Sequence, residues 1–106
     1  MDSDGACEAA EHFYNLLAKG DADAYVKNMK SADGMDSLMR SQMVDLMLQF
    51  MAEEKETRGG IKGAKATEDS LQDSLAVVLL DVQYGDSTHE RVSLPLIYSK
   101  SRWWIR

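Results

Sequence analysis

Apolar residues in "EAAEHFYNLLAKGD" fall at Ala9, Ala10, Phe13, Leu16 and Leu17. Steps of three and four place them in one stripe on a helix. Gly20 follows, where a left-handed residue ends a helix, and Asp21 stands in position to cap the next. Ala22, Tyr25, Val26 and Met29 repeat the pattern briefly, which predicts a short second helix. After the turn cluster "SADG", the stretch "MDSLMRSQMVDLMLQFMAEEK" predicts a long third helix. Leu38, Met39, Met43, Leu46, Met47 and Phe50 are expected to face inward, with Arg40, Gln42, Asp45, Gln49 and Glu53 on its polar side.

Beyond "TRGG" the period changes from 3.6 to 2. Ile61, Ala64 and Ala66 carry a weak strand pattern over residues 60–68. "SLAVVLLDVQYG" is apolar on both faces through its middle, the pattern of a central strand covered on two sides. "HERVSLPLIYSK" alternates, with Val92, Leu94, Leu96 and Tyr98 on one face and Arg91, Ser93, Pro95, Ile97 and Ser99 on the other. Pro95 has no N–H to give a ladder and belongs near an edge, bulge or bend. Lys100 and Ser101 predict a tight reversal into "RWWIR", where alternation turns Trp103 and Ile105 to one face and Arg102, Trp104 and Arg106 to the other. Trp103 and Ile105 are expected in the core. Trp104, on the outer face, either contacts a second copy of the chain together with Arg102 and Arg106, or lies flat against the stems of those arginines. Helices first and strands afterwards predict an α+β fold, N-terminal helices packed as a separate layer on an antiparallel sheet, as a single domain over residues 1–106.

Composition narrows the function classes. A chain of 106 residues can bury roughly two thirds of its unfolded surface without a metal or disulfide staple. The longest apolar run, "LAVVLL", is far short of the roughly 18 residues of a membrane span, which predicts a soluble chain with no transmembrane segment. A net charge of −6 argues against nucleic acid as a partner. Cys7 is the only cysteine, so no disulfide forms within the chain. The polar start shows no signal-peptide pattern. Gly5 and Ala6 are small, as a lipidated cysteine requires of its neighbours, but Asp4 stands where an aliphatic residue is expected.

The helix pair "EAAEHFYNLLAKGDADAYVKNM", the long third helix and the closing hairpin "VSLPLIYSKSRWWIR" together resemble the NTF2-like (cystatin-like) superfamily, in particular the DUF4878 or lumazine-binding-like domains of bacterial proteins and lipoproteins. Phe13, Gly20, Asp21 and Tyr25 match the start of that pattern, and Trp103 and Ile105 match its Trp-x-Ile finish. The resemblance implies an NTF2-like cone, N-terminal helices packed on a curved antiparallel sheet with a cavity between them, pairing through the outer sheet face into a homodimer, and export or lipid anchoring of the full-length precursor. On that reading Phe13, Tyr25, Met43, Met47, Leu94, Tyr98 and Trp103 line a pocket for a small apolar ligand or a protein partner, while Trp104, Arg102 and Arg106 form the dimer contact.

The superfamily also contains ketosteroid-isomerase-like enzymes, which need a carboxylate and a phenol in one apolar cavity. Tyr14, Tyr25 and Tyr98 are the available phenols, and Asp45 and Asp81 the acids. Asp45 falls on the polar side of the third helix and Asp81 near a strand end, so no catalytic residue is assigned and the isomerase or dehydratase stands as the alternative. Glu8 and His12 are four apart, but with His89 in a hairpin they fall short of a zinc ligand set, and no metal or cofactor is expected. "GGIKGAK" departs from a phosphate loop at Ala64 and Ala66. Met39, Met43, Met47 and Met51 recur every four residues, suited to filling gaps or to an adaptable lining.

Overall fold

The computed structural model describes residues 3–106; Met1 and Asp2, the first residues of the polar start, lie outside that description. Three helices come first: α1 Ser3–Lys19, α2 Ala22–Lys27 and, after a short 3₁₀ turn at Lys30–Ala32, α3 Ser37–Arg58. Four strands follow: β1 Ile61–Gln72, β2 Leu75–Tyr84, β3 His89–Ser99 and β4 Arg102–Ile105. They form one antiparallel meander in the order β1-β2-β3-β4.

Side-chain chemistry sets the helix ends where the sequence places them. Gly20 takes φ +78° beyond α1, and the Asp21 carboxylate accepts the Ala24 N–H at 3.1 Å. Asp36 caps α3 in the same way, accepting the Met39 N–H at 2.9 Å. Gly59, at φ +80°, ends α3 in the left-handed conformation that costs glycine nothing.

Register breaks in β1 at Ile61/Gly63 and Ala66/Glu68 bend the sheet around the helices. At the second break the Ala66 N–H donates to the Glu11 carboxylate of α1 at 2.7 Å, which ties helix to sheet. β1 extends to Gln72, beyond the expected stretch, because backbone pairing with β2 holds its polar end in a strand whatever the side-chain pattern. Pro95 accepts the Arg106 N–H at its carbonyl, 3.0 Å, so its missing donor falls at the end of the four-residue β4.

The core lies on the concave side. Ala6, Ala10, Phe13, Leu16 and Leu17 of α1 and Tyr25 of α2 meet Ala76, Val78, Leu80, Val82, Leu94, Leu96, Trp103 and Ile105 of the sheet. Val78, Leu80, Val82 and Leu96 are fully buried.

Two sequence expectations are corrected. β2 is covered on one side only: outward-facing Leu75 and Val77 are 37% and 40% exposed, because all the helices pack on the other face. α3 buries no residue completely, and Leu38, Met39, Leu46 and Phe50, expected inward, are exposed. Met47 and Met51 are the α3 apolar residues that reach the core.

Candidate functional site

The C-terminal ends of α1 and α3 meet the start of β1 around a cleft of about 300 Å³. Leu17, Ala18, Met51 and Ile61 supply its apolar wall, and Lys19, Glu54 and Lys55 its charged groups. Gly20, Gly59 and Gly60, the helix-ending residues, leave bare backbone on the remaining side. The cleft exists because two helices stop at glycines beside a strand that has just begun, and no large side chain is available there to fill the corner.

The α3 end is held firmly. The Gly85 N–H donates to the Gly60 carbonyl at 2.8 Å and the Asp86 N–H to the Arg58 carbonyl at 2.9 Å. Arg58 forms an ion pair with Glu90 of β3 and lies 4.6 Å from the Tyr84 ring centroid. The Tyr84 hydroxyl faces the same Glu90 carboxylate at 3.5 Å.

Polar groups inside this end of the fold are crowded. Glu54 lines the cleft, yet its Oε2 is closed off from water and has no hydrogen-bond partner among the described residues. Burial pushes the Tyr14 phenol well above its ordinary range, reinforced by Tyr25, Tyr84 and the carboxylates of Glu90 and Glu54. Burial likewise raises Tyr25, and raises Tyr84 with help from Glu90 and Glu54. All three phenols are therefore held as neutral hydroxyls.

The residues expected to line a pocket are distributed differently. Phe13, Tyr25, Leu94 and Trp103 are core residues, each 8% exposed or less. Tyr98 is half-buried and meets Trp103 edge-on, with ring centroids 5.2 Å apart. Met47 packs on the core and Met43 is half-buried on α3. Of the ten cleft residues only Met51, in the methionine series, was offered from sequence as a lining; the other nine, Glu54 and the Gly59–Gly60 pair among them, were not assigned. The signal available for the glycine pair was the helix breaker "GG".

Trp104 is on the outer face, opposite Ile97, yet only 8% exposed. The Arg102 guanidinium lies over its ring at 3.5 Å and the Lys30 ammonium at 5.5 Å. Its indole N–H donates to the Ser99 carbonyl at 2.8 Å. Arg102 is fixed in turn by Asn28 Oδ1, 2.7 Å from Nη1. Arg106 is exposed. Within one chain Trp104 is thus covered by the Arg102 guanidinium, not by the aliphatic stems of two arginines.

Asp81 sits on the outer face beside His89 Nδ1 at 3.0 Å, and Asp45 is exposed on α3, so neither acid faces the interior. Among the described residues no group of three or more His, Cys, Asp or Glu side chains could hold a metal ion. No helix among them is long and apolar enough to cross a membrane.

No family model matches the sequence, and no curated protein matches it. Among solved structures, a Campylobacter jejuni protein described as a putative NTF2-like transpeptidase is similar to it with a TM-score of 0.71, over 92% of this chain and 94% of that one. The fold is NTF2-like. Sequence identity between the two is 14%, a level at which the likeness shows the fold alone. Within the NTF2-like cone the cleft lies at the end where α1 and α3 terminate, between helices and sheet.

Proposed function

We propose that the chain is a single NTF2-like domain that binds a small, mainly apolar molecule without transforming it. The cleft formed by Leu17, Met51 and Ile61 carries this reading. At about 300 Å³ it is of the size that small-ligand sites occupy, with an apolar wall facing three charged side chains and the backbone of three glycines. Met51 gives that wall a flexible thioether that can re-pack around different ligands. Asp81 and Asp45, turned outward, lend the isomerase alternative no base. The DUF4878-type resemblance, and with it export or lipid anchoring, rests on the Gly20–Asp21 break and the Trp103–Ile105 pair.

The test uses 1-anilinonaphthalene-8-sulfonate, an apolar ring system with one anionic group. Its fluorescence should rise and saturate with wild-type protein, and Met51→Asp should weaken binding at least about tenfold, because it places a like charge near the sulfonate and a group needing solvation in the apolar wall. Equal binding by a folded Met51→Asp variant would overturn the assignment of the site.

A second reading concerns the outer sheet face as the surface through which two copies pair. Exposed Leu75 and Val77 favour it: they stand opposite Ile97 and Pro95, and Ile97 stands opposite Trp104, so apolar residues run across three strands. Val77→Lys should convert a dimer to a monomer in sedimentation velocity. A wild-type chain that sediments as a monomer at tens of micromolar would exclude this interface.

A further inference from the structure

We infer that α3 is a docking surface for a second copy of the chain, whose α3 lies antiparallel across it about a two-fold axis, with Met43 against the partner's Leu46 and Met39 against the partner's Phe50. The inference stands apart from the ligand cleft and from the outer sheet face, and shares no residue with either.

α3 is 22 residues long and is held mainly at its ends, by α2 near one and β1 near the other. Met47 and Met51 reach the core from it. Beside them runs a second apolar line, Met39, Met43, Leu46 and Phe50, in steps of four, three and four. Met39, Leu46 and Phe50 are 50%, 59% and 39% exposed, and Met43 is half-buried. At 3.6 residues per turn the four fall within a strip about 60° wide that runs for about three turns. A helix in a folded protein draws its stability from covering such a strip, and an uncovered apolar patch of this extent marks an interaction surface.

Steps of four and three alternate as the a and d positions of a coiled coil do, so the partner that fits is another helix with the same spacing. A second copy supplies it. Turned end for end, the line again reads four, three, four. A two-fold axis between Met43 and Leu46 therefore sets every knob opposite another in register and lays the two helix dipoles antiparallel. The open flank of the strip carries Gln42 and Gln49, both exposed and uncharged, which lie across from each other in this arrangement. A chain of net charge −6 thus meets itself here without like charges along the seam. Acids stand only at its ends: Asp36 caps α3, and Glu53 follows Phe50 in the same line. In this register Glu53 falls beside the partner's Asp36, a repulsion at each end that weakens the pair.

Four seam side chains and two glutamines bury roughly 500 Å² per copy, against roughly 800 Å² for a standard interface. With the end repulsions, this gives a dimer that forms at roughly 0.1–1 mM and is dissociated at the micromolar concentrations of unfolding measurements.

Sedimentation equilibrium up to about 1 mM tests this. The average mass of the wild-type chain should climb towards that of a dimer. Leu46→Lys, at an exposed position, should leave unfolding stability unchanged and hold the chain monomeric over the same range. Glu53→Lys should lower the concentration of half-dimerisation at least about threefold, since it turns two repulsions into two attractions, and about 0.5 M salt should erase the gain. Tighter pairing cannot come from a misfolded variant, so Glu53→Lys tests the register by itself.

A wild-type chain that stays monomeric throughout would overturn the inference and leave the strip to a helix of another protein. A dimer that Leu46→Lys leaves intact and Val77→Lys breaks would overturn it too, in favour of the outer sheet face. Pairing by Glu53→Lys no tighter than wild type at low salt would overturn the antiparallel register, and the inference with it.

Discussion

Gly85→Val is expected to lower the melting temperature more than any other surface substitution in this protein. A Cβ at Gly85 would stand 2.2 Å from the Gly59 carbonyl oxygen and 2.8 Å from its carbon. Both obstructing atoms are backbone, and they cannot withdraw cheaply. Hydrogen bonds from Gly85 to Gly60 and from Asp86 to Arg58 hold the β2–β3 turn against the end of α3. Gly59 itself is held at φ +80° by its role in ending the helix. Overpacking of this kind costs about 3 kcal/mol or more when neither side can shift. For a domain of this size that is a fall on the order of 15 °C. Gly85→Ala meets the same contact and should show most of the effect. A melting temperature within about 3 °C of wild type would mean that turn and helix are not in contact.

The second large effect is expected at Leu80, and its value lies in a paired comparison. Leu80 is fully buried in β2, under α1, and its truncation to Ala should cost about 2–5 kcal/mol in urea unfolding. Leu46 belongs to a helix whose apolar spacing looks at least as convincing, yet it is 59% exposed. Leu46→Ala should therefore change stability by no more than about 0.5 kcal/mol. Comparable losses at the two positions would mean that α3 lies against the core along its length, contrary to the architecture described above.

α3 also separates what periodicity can say from what it cannot. Its existence was legible, since its apolar residues recur at helical spacing, although it runs three residues past the expected stretch, to Arg58. Its burial was not. A stripe of leucines and methionines marks the face that would gain from being covered, but coverage requires a second element, and α3 has α2 near one end and β1 near the other. The same limit applied to "LAVVLL", whose two apolar faces suggested two covering layers where there is one.

The closing "RWWIR" shows both sides of this division. Alternation alone assigned Trp103 and Ile105 to the interior, and both are buried there. It also assigned Trp104 to the opposite face. Whether that indole met a partner or its own arginine could not be read locally, since the geometry of Arg102 depends on Asn28, 74 positions earlier in the chain.

By itself, then, the sequence determined the order of the elements, the break at Gly20–Asp21 and the faces that β3 and β4 turn inward. These follow from backbone geometry over a few residues: a period of 3.6 or 2, a cap, a glycine at positive φ. Only the tertiary structure decided which apolar faces are covered, and that a cleft opens where two helices stop beside one strand. Those outcomes depend on distances between segments far apart in the chain, which no local pattern encodes.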